Sequence, residues 1–184
     1  MNRPVIALVG ACFVVACARD PAACDRRNPL PGQQDEEWAL ACRIPGYGGA
    51  FLYPGEGAPD AQYIVYLQDL DRVEKAREVL ARELRTYPAS FRRAPLVFRR
   101  GRYDFHQLQH WKTRLHPAQL PETVFAGIAL DRNRLVVGVL DLNAKPKILK
   151  ALRKVGIPSS AVVFERAERI RMDVEQVPLD WPEF

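Results

Sequence analysis

The residues able to do chemistry are few, and spacing decides how each is read. His106 and His110 lie four apart on a segment of helical periodicity, a separation at which two imidazoles can share a zinc ion. At 100° per residue both point away from the face carrying Phe105, Leu108, Trp111 and Leu115, so they are expected to face solvent. A third ligand is missing from the local sequence. Asp104 falls on the wrong side of the helix, and neither Cys24 nor Cys42 sits near a histidine or in a C-x-x-C. Asp69 and Asp71 are not followed by a twelve-residue calcium loop. Gly46, Gly48 and Gly49 lack the Lys-Ser/Thr helix start of a phosphate loop. The only serines are Ser90, Ser159 and Ser160, none in a Gly-Asp-Ser-Gly context. No carboxylates pair as a recognisable acid and base. The expectation is a non-catalytic protein without metal or cofactor. The alternative is a small envelope hydrolase or metal-dependent enzyme built on the exposed His106/His110 region.

The cysteines belong first to targeting. Arg3 precedes an uncharged run from Val5 to Ala18, the charged and apolar parts of a secretory signal. Val14-Val15-Ala16-Cys17 resembles a bacterial lipobox, so residues 1–16 read as a lipoprotein signal peptide and Cys17 as the lipidated residue. Ala16-Cys17-Ala18 also fits ordinary signal peptidase, and Cys12 offers a poorer lipobox. Cys24 and Cys42 then remain in an oxidising compartment, where two leftover cysteines are expected to pair. Their bridge closes 17 intervening residues, a constraint of roughly 3 kcal/mol in the chain-entropy model. Residues 17–43 read as a tether, rich in Pro, Gly and charge.

Elements that position these groups follow from periodicity. Of 184 residues 48% are apolar, enough for a core, and no apolar run reaches the length of a membrane-spanning helix. Trp38, Leu40, Tyr47, Phe51, Leu52 and Tyr53 are too apolar for a solvated spacer, so 38–54 should pack on the domain. Strands are expected at 61–67, 95–98, 124–130, 135–140, 161–164 and near 170–177. Helices are expected from Asp71 to Tyr87, from Asp104 to Leu115, and from Asn143 to a Gly156 cap. Asp131 to Arg134 joins two strands as a hairpin. Gly127 and Gly138, both mid-strand, suggest a closely approaching helix. The order β-α-(α)-β-β-α-β predicts an α+β, ferredoxin-like split βαβ sandwich over residues 44–184, behind an extended N-terminal tether.

Three blocks carry a resemblance. They are Arg102-Tyr103-Asp104-Phe105-x-Gln107-Leu108-x-x-Trp111, then Gly127-Ile128-x-x-Asp131-x-Asn133-Arg134-Leu135-x-Val137-Gly138-Val139, then Gly156-Ile157-Pro158-x-x-Ala161-Val162. Together they resemble small exported bacterial proteins of unassigned function. The second and third also resemble the pro-regions of alpha-lytic-type secreted serine proteases, which are ferredoxin-like folding assistants and inhibitors. That resemblance implies binding to a secreted serine protease through the sheet. No protease domain follows here, so a free-standing module is expected.

Charge suggests a second surface. Lys and Arg total 27 against 22 Asp and Glu, and Arg92, Arg93, Arg99, Arg100 and Arg102 fall within eleven residues. Outside the cytosol an anionic lipid, envelope polysaccharide or acidic protein fits this patch better than nucleic acid. Charged flanks that discourage edge pairing are the simpler explanation. The expected protein is exported, anchored to the cell membrane or outer membrane by its lipid alone, and binds another envelope protein or polymer.

Overall fold

A computed structural model describes residues 24, 27–32, 34–54, 60–86, 92–115, 120 and 122–168. The signal peptide, Cys17, Ser90, His116 and the strand expected near 170–177 lie outside these residues. The fold is α+β, compatible with the split βαβ arrangement, and its strands are divided between two three-stranded sheets.

The first sheet has the order β1-β2-β3, with β1 Tyr47–Tyr53, β2 Gln62–Leu67 and β3 Leu96–Arg100. The second has the order β4-β5-β6, with β4 Thr123–Ala129, β5 Arg134–Val139 and β6 Val162–Arg166. Each begins with an antiparallel hairpin and ends with a parallel crossover. The crossover helices are α2, Val73–Glu83, and α4, Lys145–Lys154. Helix α1, Asp35–Arg43, precedes the first hairpin, and α3, Phe105–Arg114, precedes the second. The described chain is a tandem of two α-β-β-α-β units.

The correspondence extends to individual residues. Tyr63, Val65 and Leu67 of β2 occupy the places of Leu135, Val137 and Val139 of β5, facing β3 and β6 in the same register. Both hairpins slip register at the same point, between Tyr47 and Gly49 and between Thr123 and Phe125. Asp69 accepts a hydrogen bond from the Asp71 N–H at 3.0 Å, and Asp141 accepts one from the Asn143 N–H at 2.9 Å. These aspartates, rather than Asp71 and Asn143, cap the turns that lead into α2 and α4. At the other end of α4, Gly156 has φ 76°, and the Ile157 N–H bonds back to the Leu152 carbonyl at 3.0 Å. That is the glycine cap expected there.

Each unit has a core on the helix side of its sheet, and Phe105 and Ile128 of the second unit also pack into the first core. Ala76 and Leu80 of α2 pack with Tyr63, Val65 and Leu67, and Ile148 and Leu152 of α4 pack with Leu135, Val137 and Val139. Leu80 and Leu152 are fully buried, each contributing about 2 kcal/mol by area removed from water. Helix α1 contributes Leu40 and Ala41 to the first core, followed by Ile44. Arg43 at its end pairs with Glu83 of α2. Residues 35–43 thus belong to the domain and not to a tether, because α1 buries an apolar face that a spacer would leave in water.

The strand glycines are a second correction. Gly127 pairs with Val136, and Gly138 with Phe125, on the face of the sheet turned away from the core positions of β5. A Cβ at Gly138 would overlap the Phe125 ring. The close neighbour is a cross-strand aromatic, not a helix. Among the described residues no helix is long and apolar enough to cross a membrane.

Candidate metal centre

Helix α3 is covered on two sides. Phe105, Leu108 and Trp111 are buried in the cores, and Gln109 is buried as well, donating from Nε2 to Asn28 Oδ1 at 3.0 Å. Asp104 caps the helix by accepting from the Gln107 N–H at 2.7 Å. This start places His106 against α1. Its ring meets Trp38 edge-on, with centroids 4.5 Å apart and planes at 90°. The expectation that both histidines face solvent therefore holds for His110, which is exposed, and fails for His106, which is half-buried. A helical wheel with one apolar face could not register the second neighbour.

His106 meets both remaining cysteines. Cys24 Sγ lies 3.8 Å from His106 Nε2, and Cys42 Sγ lies 3.9 Å from the same atom. All three donor atoms lie within 4.8 Å of one another. Cys42 stands near the end of α1, one turn beyond Trp38, and Cys24 comes from the preceding segment. The structure thus brings the two cysteines expected to pair within 4.8 Å of one another at their sulfurs, and adds a histidine that spacing had separated from Cys42 by 64 residues. The Trp38-x-x-x-Cys42 spacing was the one local signal that an aromatic and a thiol share a helical face.

The segment leading into α1 is tied down locally. Asn28 Nδ2 donates to Asp35 Oδ1 at 2.7 Å, and the Gly32 N–H donates to Asp35 Oδ2 at 2.9 Å. A shallow depression of about 520 Å³ opens beside Cys24 and Cys42, bordered by Arg27, Asn28, Asp35 and Arg43. Chemically, two sulfurs and one imidazole nitrogen form a donor set for a thiophilic cation, with solvent access on one side.

Further along α1, Glu37 turns its carboxylate inward. It accepts from the Tyr47 hydroxyl at 2.8 Å and the Ala50 N–H at 3.2 Å. Burial pushes its pKa up from 4.5 to about 7. The hydrogen bonds from Tyr47 and Ala50 oppose that rise, and the Glu36 charge adds to it. Its sequence context of three consecutive first-turn acids and helix residues suggests only a solvated helix start.

The arginine patch is divided by β3. Exposed Arg92 and Arg93 lie before the strand, and exposed Arg99, Arg100 and Arg102 lie at its far end. Arg102 lies over the Tyr103 ring, 5.7 Å from its centroid. Arg134 lies over the same ring at 5.0 Å. No protein-family model matches the chain, and a search of curated proteins finds no match.

Proposed function

We propose that this is an exported, lipid-tethered, non-catalytic binding module of the bacterial envelope that engages a secreted serine protease through its second sheet. The observation that carries the reading is the surface of that sheet. Phe125 is 41% exposed, and Val136 and Val163 are half-exposed on the same side, outside both cores. Among the described strands β6 forms one edge of the sheet, so an added strand could take main-chain hydrogen bonds there while side chains meet the apolar face. The second and third blocks of the pro-region resemblance fall on this β4-β5-α4-β6 unit. Strand β3, the corresponding edge of the first sheet, ends in exposed Arg99 and Arg100, which suits protection against pairing.

The chain is expected to inhibit a purified alpha-lytic-type protease in a steady-state assay. Phe125→Glu should weaken inhibition at least about 10-fold, since it puts a charge where an apolar contact forms. Absence of inhibition, or full inhibition by Phe125→Glu, would count against this reading. For the anchor, metabolic labelling with a fatty-acid analogue should tag the wild-type protein and fail to tag Cys17→Ser. Release of an unlabelled wild-type chain would remove the lipid from the proposal.

A further inference from the structure

We infer that Cys24, Cys42 and His106 form a binding site for one thiophilic d10 cation, Zn²⁺ being the probe of choice. In a tetrahedral zinc site with Zn–S near 2.3 Å and Zn–N near 2.0–2.1 Å, the sulfur–nitrogen edge is roughly 3.6 Å. The two edges here are 3.8 and 3.9 Å, and both run to the same imidazole nitrogen, Nε2. A few tenths of an ångström bring these two edges to that length, and the third edge, between the sulfurs, is within 4.8 Å against roughly 3.8 Å in a tetrahedral site.

The three donors come from different parts of the chain, which is what a folded metal site requires. Cys42 is held by α1, whose Leu40 and Ala41 are buried in the first core, and His106 is held by α3 between Phe105 and Leu108. Trp38 fixes the imidazole plane by its edge-on contact. Cys24 is the exposed member and can move the short distance that closure needs. The fourth position opens toward the depression beside the two cysteines, where water can complete the tetrahedron. On binding, two S–H bonds break, their protons pass to solvent, and two Zn–S bonds and one Zn–N bond form without any change of oxidation state. His110 is exposed on α3 and takes no part. The ion would fasten Cys24 onto α1 and α3. This inference rests on a different face from the protease-binding sheet, so either can fail without the other.

The test uses the reduced full-length chain and Co²⁺ as a spectroscopic stand-in for Zn²⁺. One Co²⁺ per chain should bind with thiolate-to-metal charge-transfer absorption and the intense visible bands of tetrahedral coordination. Zn²⁺ should displace it and raise Tm, because an ion that binds the folded state stabilises it by mass action. His106→Gln should weaken binding at least about 10-fold, Cys24→Ser should remove most of the charge-transfer intensity, and His110→Gln should match wild type. Wild-type protein that stays spectroscopically silent with Co²⁺ overturns the inference whatever the variants do. So does a His106→Gln chain that binds as tightly as wild type.

Discussion

Asn133→Ala should lower the unfolding free energy by about 3–5 kcal/mol, read as a shift in the urea midpoint. Asn133 is 1% exposed and sits in the β4–β5 turn at φ 50° and ψ 48°. Its Oδ1 accepts from the Arg102 N–H at 2.7 Å and the Tyr103 N–H at 2.9 Å. Its Nδ2 donates to the Gly48 carbonyl at 2.8 Å and the Tyr103 carbonyl at 2.7 Å. One side chain thus joins the second hairpin, the β3–α3 connection and strand β1. Alanine would leave two backbone donors without this acceptor, and it also tolerates the left-handed region less well than asparagine, by about 1 kcal/mol. Asn133→Gly separates the two effects, since glycine removes the conformational cost and keeps the loss of hydrogen bonds. It should recover only about 1 kcal/mol. The node also couples the two units, together with the Tyr66 hydroxyl, which donates to the Asp131 carbonyl at 2.9 Å. The alanine variant should therefore show a lower urea m-value or a divided transition, because the two core clusters, bridged by Ile128, lose a second, polar anchor. An unchanged midpoint and slope would mean that the units are held together by other contacts.

The same region shows why the tandem was not legible in the sequence while its parts were. The hairpin at Asp131–Arg134 and the flanking strands announce themselves by β-branched runs around a polar turn. The equivalence of the two units does not, because some corresponding sites exchange their residues. In the first hairpin Gly49 faces Tyr66, and in the second Phe125 faces Gly138. The pair remains one aromatic and one glycine, with the aromatic moved to the opposite strand. Packing across the ladder constrains the pair and not the position, so this site carries no identity between the two units. Gly48 shows a different limit. A Cβ there would lie 2.6 Å from Asn133 Nδ2 and 2.7 Å from the Tyr103 carbonyl oxygen. The Gly-rich stretch is legible as a turn, yet the reason for this glycine lies 85 residues away. His106 and Cys42 are alike in this respect. Each was assigned from its own local context, and their meeting depends on α1 packing against α3.

Glu37→Gln should flatten the pH dependence of stability between about pH 4.5 and 7, the interval between the ordinary carboxyl pKa and the folded value. The folded pKa is the higher one, so in this window the folded chain holds a proton that the unfolded chain has released. The Glu37 contribution is fully present below about pH 4.5 and is lost as pH rises through about 7. A displacement of that size corresponds to roughly 2–3 kcal/mol, taken below the full conversion because the side chain is only half-buried. The cost arises because the ionised carboxylate must either stay desolvated beside buried Tyr47 or pull out and abandon its two hydrogen bonds. Glutamine has nearly the same shape, its carbonyl oxygen can accept from the Tyr47 hydroxyl and the Ala50 N–H, and it never ionises. Wild type and variant should have similar urea midpoints near pH 4.5. At pH 8 the variant should be the more stable by roughly 2–3 kcal/mol. Taking the difference between the two proteins removes the contribution of every other titrating group that the substitution leaves alone. Parallel stability curves across the whole range would show that Glu37 ionises in the folded state at little cost, and that burial does not control its proton.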